Sequence, residues 1–281
     1  YMQESGIYIH IPFCKIKCIY CDFYSITNKE SMISKFVESL IDEINYLNID
    51  STPNLKINTI FFGGGTPSLL DAKSYEKIIG ALNKKFNLSS LEEMTLEANP
   101  GECNLNLLKN LKKIGFNRLS IGVQSLHQAH LKFLSRIHSE KDSIDTFKDA
   151  VAAGFENINT DLIYNIPNQS LSEWKKDLSK IVDLQPTHIS AYSLTVEKNT
   201  ALYSLTKNNS IIMPAEDIEI EMFNNCKSIL ENNNYPQYEI SNYSKIGFEC
   251  KHNLHYWKMN PYFAFGPSAN GFDGKKRWNN I

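Results

Sequence analysis

The segment GIYIHIPFCKIKCIYCDF, residues 6–23, decides the fold class because it joins a short apolar run to a dense group of cysteines. Residues 6–11 are apolar and rich in isoleucine, which predicts a strand. Three of the six cysteines in the chain, Cys14, Cys18 and Cys21, follow within eight residues of one another. Clustered thiols in a chain with no visible secretory signal favour a metal site over disulfides. The sequence therefore predicts a metal site just beyond a strand end.

Further apolar runs alternate with longer amphipathic stretches along the chain. The predicted strands are residues 6–11, 56–62, 93–98, 117–123, 156–163 and 187–194. The main predicted helices are residues 31–47, 71–86, 104–114, 170–184 and 215–231. This alternation predicts an α/β fold with parallel strands and crossover helices. Because a full eight-unit barrel takes about 250 residues and these units end near residue 194, the sequence favours a partial (β/α)6 barrel.

The pattern changes after the sixth strand. Residues 197–212 are polar and predict a long loop, and residues 235–272 are dense in aromatic residues, Asn and Gly. We therefore assign residues 1–195 to the partial barrel and residues 196–281 to a C-terminal α+β accessory extension.

Composition and charge narrow the classes of partner. Apolar residues make up 42 % of the chain, which predicts a packed core. The 29 basic and 31 acidic side chains give a net charge of −2, so charge offers no reason to expect nucleic acid as a partner. No apolar run approaches the ~18 residues of a membrane-spanning helix. We therefore expect a cytoplasmic protein that is not transmembrane.

The cysteine spacing C-x3-C-x2-C is compatible with three kinds of site. Three thiolates can bind three corners of a cubane iron–sulfur cluster and leave the fourth iron open. Zinc with a fourth ligand such as Cys250 or His252 also fits. The spacing is also that of one helix face, as in buried structural cysteines. Pro12 and the lysines between the cysteines argue against this last alternative.

Polar residues also follow the other predicted strands. The turn GGGTPS at residues 63–68 follows the second strand, and its glycines can bring backbone N–H groups close to a ligand. Later strands end near Glu97, Gln124, Asp161 and Ser193. Taken singly, these residues fit caps or ion-pair partners as well as ligands. Since the carboxyl ends of parallel strands meet at one edge, we expect them to lie near the cysteines.

The cysteine motif at the first strand end, together with the glycine turn after the second, resembles the radical S-adenosylmethionine (SAM) superfamily. The segments YIHIPFCKIKCIYCDF, GGGTPS, RLSIGVQS and NINTDLIYNIP are similar to one subgroup, oxygen-independent coproporphyrinogen III oxidase and its relatives. The resemblance covers essentially the whole chain. It implies a [4Fe–4S] cluster on the three cysteines whose open iron chelates SAM. It also implies a reductant such as flavodoxin or ferredoxin, whose electron cleaves SAM to a 5′-deoxyadenosyl radical.

The resemblance further implies which positions contact SAM. They are Tyr8, Tyr20, Gly64, Gly65, Thr66, Glu97, Gln124, Arg136, Asp161 and Ser193. In the superfamily the glycine turn holds the SAM amino group, and a residue at the place of Glu97 binds the ribose or the ammonium group. Lys15 and Lys17 are expected to tune the potential of the cluster.

One position departs from the oxidase pattern. The oxidase has a further cysteine two residues after the third, where this chain has Phe23. Haem chaperones of the same subgroup have Phe there and carry an H-N-x-x-Y-W signature, which occurs here as His252, Asn253, Tyr256 and Trp257. The resemblance implies that these residues contact haem and that His252 ligates its iron. Without the resemblance, ordinary aromatic packing or a zinc pair of His252 and His255 also fits.

Three functions follow in order of preference. The first is a haem chaperone that binds haem and SAM and delivers haem to recipient, respiratory proteins. The second is an oxidase that decarboxylates coproporphyrinogen III oxidatively to protoporphyrinogen IX, an activity we expect to be absent. The third is a zinc-stabilised binding module without SAM chemistry. Relatives usually extend further, so we expect the chain to be truncated at its C-terminus.

Overall fold

The computed structural model describes residues 3–48 and 55–281. Its strands are β1 (Gln3–Ile11), β2 (Phe13–Cys14), β3 (Ile26–Thr27), β4 (Leu55–Gly64), β5 (Glu93–Ala98), β6 (Arg118–Gln124), β7 (Asn157–Tyr164), β8 (His188–Ser193), β9 (Asn242–Ser244), β10 (Tyr262–Phe265), β11 (Asn270–Phe272) and β12 (Arg277–Asn279). Its helices are α1 (Ile33–Tyr46), α2 (Ala72–Lys85), α3 (Leu105–Ile114), α4 (Gln128–Phe133), α5 (Glu140–Ala152), α6 (Leu171–Leu184), α7 (Ala201–Lys207), α8 (Glu216–Asn232) and α9 (Lys251–Trp257).

The six predicted strands form the centre of one large sheet. β1, β4, β5, β6, β7 and β8 lie side by side in chain order, and every neighbouring pair is parallel. A helix follows each of the first five of these strands before the next begins. This confirms the predicted α/β fold with a six-unit parallel sheet. In the part of the chain that the structure describes, the sheet is open, with β12 at one edge and β9 at the other.

The C-terminal residues add strands to both sides of the six. β9 pairs antiparallel with β8, whereas β10 pairs parallel with β1 and is followed by the antiparallel strands β11 and β12. A seventh parallel strand was not expected from the sequence. The division of the chain into a partial barrel, residues 1–195, and an accessory extension, residues 196–281, stays a prediction. Residues 1, 2 and 49–54 of the partial barrel lie outside the described residues.

A short helix, α7, lies in the segment predicted to be a long loop, so that prediction was wrong. Thr200 caps this helix, because its hydroxyl accepts a hydrogen bond from the N–H of Tyr203 at 3.1 Å. The fully buried Leu202 fixes the helix to the cysteine loop through its N–H, which donates to the carbonyl of Ile19 at 2.9 Å. A seven-residue helix held by one cap and one buried leucine is too short to show helical periodicity in the sequence.

Helix α6 packs its apolar stripe on the sheet and on α8. Trp174, Leu178 and Ile181 recur at helical spacing, and all three are fully buried. The indole Nε1–H of Trp174 donates to the carbonyl of Met222 on α8 at 3.1 Å. This contact attaches the first long helix after residue 195 to the barrel. Within the described residues, no helix combines the length and apolar character that crossing a bilayer requires.

We expect Trp174→Ala to lower the free energy of unfolding by about 3–5 kcal/mol, because it leaves a large cavity between α6 and α8 and removes the indole hydrogen bond to the carbonyl of Met222. Urea unfolding measures the change. Ile212→Ala is the control, since Ile212 is 84 % exposed and its loss should cost less than about 0.5 kcal/mol. A similar small effect for both variants would contradict the packing described here.

Candidate functional site

The three clustered cysteines face one cavity at the carboxyl ends of the parallel strands. Cys14, Cys18 and Cys21 are all half-buried and line a space of about 560 Å³. Residues 14–21 contain no helix, so the three thiols do not form the buried face of a helix. A backbone hydrogen bond from the N–H of Cys21 to the carbonyl of Cys18, at 3.2 Å, curls the loop around this cavity.

The other cysteines lie elsewhere. Cys250 is fully buried, and its thiol faces Glu93 Oε1 at 3.6 Å. Cys103 and Cys226 are also buried and do not line the thiol cavity. Among the described residues, neither a fourth cysteine nor a histidine lines it. The structure therefore does not bring Cys250 or His252 to the thiol trio as a zinc ligand, and the three-thiol set fits a cluster with one open iron.

Electrostatics at the thiols favour a bound cationic centre. Burial, together with the neighbouring Cys18 thiol, raises the pKa of Cys14, and burial together with the Cys18 and Cys14 thiols raises the pKa of Cys21 to about 11. Three thiolates this close need a compensating positive charge, which a metal cluster supplies. Two donors already point at the sulfurs. Thr66 Oγ1 donates to Cys14 Sγ at 3.5 Å and Arg136 Nη1 to Cys18 Sγ at 3.7 Å.

The glycine turn holds the cysteine loop in place. The N–H of Gly65 donates to the carbonyl of Ile11 at 2.8 Å, and that of Thr66 to the carbonyl of Phe13 at 2.7 Å. A Cβ at residue 65 would lie 2.7 Å from the Phe13 carbonyl oxygen, so only glycine allows this approach. Gly64 has a φ of +110° and donates its N–H to Glu97 Oε2 at 3.2 Å. These three N–H groups are thus bonded within the protein and are not exposed to a ligand as the sequence suggested.

Arg136 forms hydrogen bonds to residues near three strand ends, Cys18, Asn99 and Gly122. Its Nη2 donates to Asn99 Oδ1 at 2.6 Å and to the carbonyl of Gly122 at 2.8 Å. Asn99 in turn donates through Nδ2 to Thr66 Oγ1 at 3.0 Å. Sequence reasoning did not single out Asn99, although it lies two residues after Glu97 in the polar segment EANPGE. The position of that segment at a strand end was the signal that would have identified it.

The last strands contribute Gln124 and Ser193 to the same cavity. Gln124 has a φ of 65°, and the pairing of β6 with β7 shifts register between Ile121 and Gln124. Such an irregularity re-aims a side chain at a strand end. Ser193 Oγ donates to Glu219 Oε1 at 2.6 Å and accepts from Asn165 Nδ2 at 3.3 Å, so α8 supports the site from outside the six barrel units.

Two half-buried carboxyl groups, Glu97 and Asp161, form part of the cavity wall. Burial, and then the charge of Asp161, raise the pKa of Glu97 to about 8. Burial also raises the pKa of Asp161, although its carboxylate accepts hydrogen bonds from Ser120 Oγ at 2.9 Å and Asn159 Nδ2 at 2.8 Å. Two close carboxyl groups are poised to ionise next to a bound cation. The pair therefore suits a ligand that carries positive charge and hydroxyl groups.

A second cavity of about 600 Å³ adjoins the first and shares Gly64, Glu97 and Asp161 with it. Tyr8 lines this second cavity rather than the thiol cavity, and its ring stacks on Phe61 with centroids 6.2 Å apart. The other nine predicted SAM positions line the thiol cavity: Tyr20, Gly64, Gly65, Thr66, Glu97, Gln124, Arg136, Asp161 and Ser193. Tyr8 therefore lies outside the thiol cavity but shares the second cavity with three of these nine, Gly64, Glu97 and Asp161.

The H-N-x-x-Y-W signature lies on α9 and borders the second cavity. His252, Asn253 and Tyr256 line it, whereas Trp257 does not and is 55 % exposed. His252 is fully buried, and both of its ring nitrogens already have partners. Nδ1 lies 2.8 Å from Thr59 Oγ1, and Nε2 lies 2.9 Å from the hydroxyl of Tyr256. In this arrangement, ligation of iron by His252 requires one of these hydrogen bonds to break.

His255 does not pair with His252 as in a zinc site. Its Nε2 lies 2.9 Å from Asn58 Oδ1 and its Nδ1 lies 3.1 Å from Asn260 Nδ2. The two imidazole rings meet edge to face with centroids 6.1 Å apart. The nitrogens of both histidines are thus engaged with other side chains, and the structure does not support the zinc alternative at this position.

Comparison with known proteins identifies the family of this site. Residues 8–181 match the sequence profile of the Radical SAM superfamily. The chain is 38 % identical over 279 residues to the heme chaperone HemW of Lactococcus lactis, covering 99 % of this chain and 72 % of that protein. The heme chaperone HemW of Escherichia coli is 36 % identical over 271 residues, covering 96 % and 70 %. The chain belongs to the radical SAM superfamily and, within it, to the HemW family.

A solved structure shows the same architecture. The coproporphyrinogen III oxidase HemN of Escherichia coli aligns with a TM-score of 0.83 at 21 % identity, covering 99 % of this chain and 67 % of that one. At this identity the likeness concerns the fold alone. It confirms that this member of the HemW family has the radical SAM fold expected from the cysteine motif and the strand order.

We expect Glu97→Gln to remove a loss of stability at high pH. The pKa of Glu97 rises from its ordinary value of 4.5 to about 8 in the folded protein, so the folded state holds a proton that the unfolded state has already released. Its contribution to stability is complete below about pH 4.5 and is lost as the pH rises through 8. Urea unfolding of both proteins from about pH 5 to about pH 9 should show the variant gaining stability relative to the wild type. The exposed Glu156→Gln should show no such trend, and a flat difference for Glu97→Gln would refute the assignment.

Proposed function

We propose that the chain is a cytoplasmic haem chaperone built on a radical SAM core. It binds a [4Fe–4S] cluster through Cys14, Cys18 and Cys21, SAM at the open iron, and haem, which it delivers to respiratory recipient proteins. One observation supports this most strongly. Three half-buried thiols, without a fourth cysteine in the described lining, share a cavity with nine residues at positions that contact SAM in the superfamily.

The side chains around the cavity suit the two cofactors. Arg136 and Thr66 donate hydrogen bonds to cluster thiols, which stabilises negative charge on sulfur. Lys15, expected to tune the cluster, pairs with Glu102 at 3.5 Å. The carboxyl groups of Glu97 and Asp161 offer negative charge to the ammonium and sulfonium groups of SAM. Bound together and reduced by a protein such as flavodoxin or ferredoxin, the cluster and SAM supply a 5′-deoxyadenosyl radical.

The lining of the second cavity supports haem as the further ligand. Tyr8, Phe61 and Tyr256 present aromatic surface that can cover a porphyrin face. Arg277 also lines this cavity and can pair with a carboxylate such as a haem propionate. Phe23 is 63 % exposed and borders both cavities, where it contributes apolar surface instead of a fourth thiol. These features favour the chaperone over the oxidase.

We expect Cys18→Ala to abolish the cluster. Anaerobic reconstitution of the wild type should give a brown protein with about four irons per chain, and the variant should lose this iron and the cluster absorption. Cys226→Ala is the matched control, because Cys226 is a buried thiol outside the cavity and its loss should leave the iron content unchanged. Zinc in place of iron in the wild type would instead support the zinc-stabilised module.

We expect His252→Ala to lose the Soret shift that the wild type gives on titration with haem, since the proposed iron ligand is gone. Tyr256→Phe should keep the shift or strengthen binding, because it frees the imidazole Nε2 from the tyrosine hydroxyl. His255→Gln is the control on the same helix and should bind as the wild type does. A Soret shift lost in His255→Gln but kept in His252→Ala would overturn the ligand assignment. Conversion of coproporphyrinogen III to protoporphyrinogen IX by the reconstituted protein would assign the oxidase activity instead.

A further inference from the structure

A group of metal-binding side chains lies outside both cavities, where α4 and α6 begin. His127 precedes the first residue of α4, His130 lies within α4, and Glu173 lies in the first turn of α6. None of the three lines the thiol cavity or the haem-signature cavity. His127 and Glu173 border a cleft between α4, α5 and α6, and His130 lies next to them beneath it. The proposed function makes no use of them.

The distances in this group suit a small divalent cation. His127 Nε2 lies 3.4 Å from Glu173 Oε1, and His130 Nε2 lies 3.9 Å from Glu173 Oε2. One ligand atom from each residue lies within 4.8 Å of the other two. Two ligands at 2.0–2.1 Å from a tetrahedral Zn²⁺ are about 3.4 Å apart. The group therefore needs only small side-chain movements to close on a zinc-sized ion.

Local structure holds two of the side chains in position. His127 is the residue before α4, and its N–H donates to Ser125 Oγ at 3.0 Å. Glu173 closes a capping box with Ser170, whose N–H and hydroxyl both donate to Glu173 Oε2 at 2.8 Å. The other carboxylate oxygen, Oε1, is the one that faces His127.

His130 is the buried member of the group. Its ring is 4 % exposed, yet Nδ1 has no hydrogen-bond partner among the described residues. Nε2 lies 3.9 Å from the nearest Glu173 oxygen, which is beyond hydrogen-bonding distance. Nε2 is the nitrogen that faces Glu173, so a metal ion bound in the group would be ligated by Nε2.

The charge of the cleft does not oppose a cation. Four lysines line it, Lys141, Lys148, Lys176 and Lys180, against four carboxylates, Glu140, Asp145, Glu173 and Asp177. Lys141 pairs with Asp145 and Lys180 pairs with Glu140.

We propose that His127, His130 and Glu173 bind one divalent transition-metal ion of the Zn²⁺ type and thereby join the start of α4 to the start of α6. Two imidazoles and a carboxylate are ligands that Zn²⁺ prefers, and the cleft leaves a further position for water. The loop before α4 connects the proposed metal site to the thiol cavity. Gln124, which lines that cavity, lies three positions before His127. Asp177 of α6 already holds this loop, since its carboxylate accepts from Ser125 Oγ at 2.6 Å.

Zinc titration tests the proposal. The chain is first reconstituted anaerobically, so that the cluster occupies the cysteines, and is then titrated with Zn²⁺ in competition with a chromophoric chelator. We expect one zinc ion per chain. His127→Asn and Glu173→Gln should each weaken its binding at least about tenfold. Both variants keep the local fold, because Asn is a good N-cap residue and Gln can replace Glu in a capping box. Glu140→Gln, across the same cleft, should bind zinc as the wild type does.

A second measurement separates this site from the thiols. Co²⁺ bound in place of zinc should give weak d–d bands without the intense sulfur-to-cobalt absorption of a thiolate site, and the bands should be lost in Glu173→Gln. Thermal melts in a chelator should be the same for wild type and variants, and added Zn²⁺ should raise the melting temperature of the wild type and of Glu140→Gln but not of His127→Asn or Glu173→Gln. Zinc affinity unchanged in both variants, no zinc bound, or sulfur-type cobalt absorption would each overturn the proposal.

Discussion

The close contact between the glycine turn and the cysteine loop is the constraint on which the rest of the site depends. Gly65 and Thr66 donate their N–H groups to the backbone of residues 11 and 13, at a separation that leaves no space for a Cβ at position 65. This contact aligns the end of β1 with the end of β4 and directs the three thiols into the cavity. A chain of side-chain hydrogen bonds starts from this turn. The Thr66 hydroxyl bonds to Cys14 Sγ and to Asn99, and Asn99 accepts a hydrogen bond from Arg136.

Charge is distributed across the site in an order that suits its proposed ligands. Arg136 lies beside the thiols, where negative charge develops, and the carboxyl groups of Glu97 and Asp161 lie where the two cavities meet. Ligands bound in the two cavities would therefore share these acids as a common wall. A change of charge in one cavity would shift the protonation of Glu97, whose raised pKa brings it close to physiological pH.

The sequence was sufficient for the parts of the fold that repeat. Each of the six strands is a short apolar run before a polar strand end, and the order of the strands followed from the alternation with helices. It was not sufficient for β10, because pairing with β1 depends on contacts about 250 residues apart in the chain. The motifs named nine residues that line the thiol cavity, and their contact with SAM stays a prediction, whereas Asn99 was missed because its place in the site comes from two side-chain hydrogen bonds. The sequence also did not predict the hydrogen bonds that His252 forms with Thr59 and Tyr256. Thr59 lies on a strand about 190 residues earlier in the chain.

The pairing of β10 with β1 has a consequence for biosynthesis. β1 leads into the cysteine loop, but one of its two neighbours, Tyr262–Phe265, is synthesised about 250 residues later. Gly266, directly after β10, packs so tightly on the backbone of His10 that a Cβ there would lie 2.4 Å from its carbonyl oxygen. The frame around the thiols is therefore incomplete until β10 has been synthesised and has paired with β1. Stable insertion of an iron–sulfur cluster is expected to wait for that pairing.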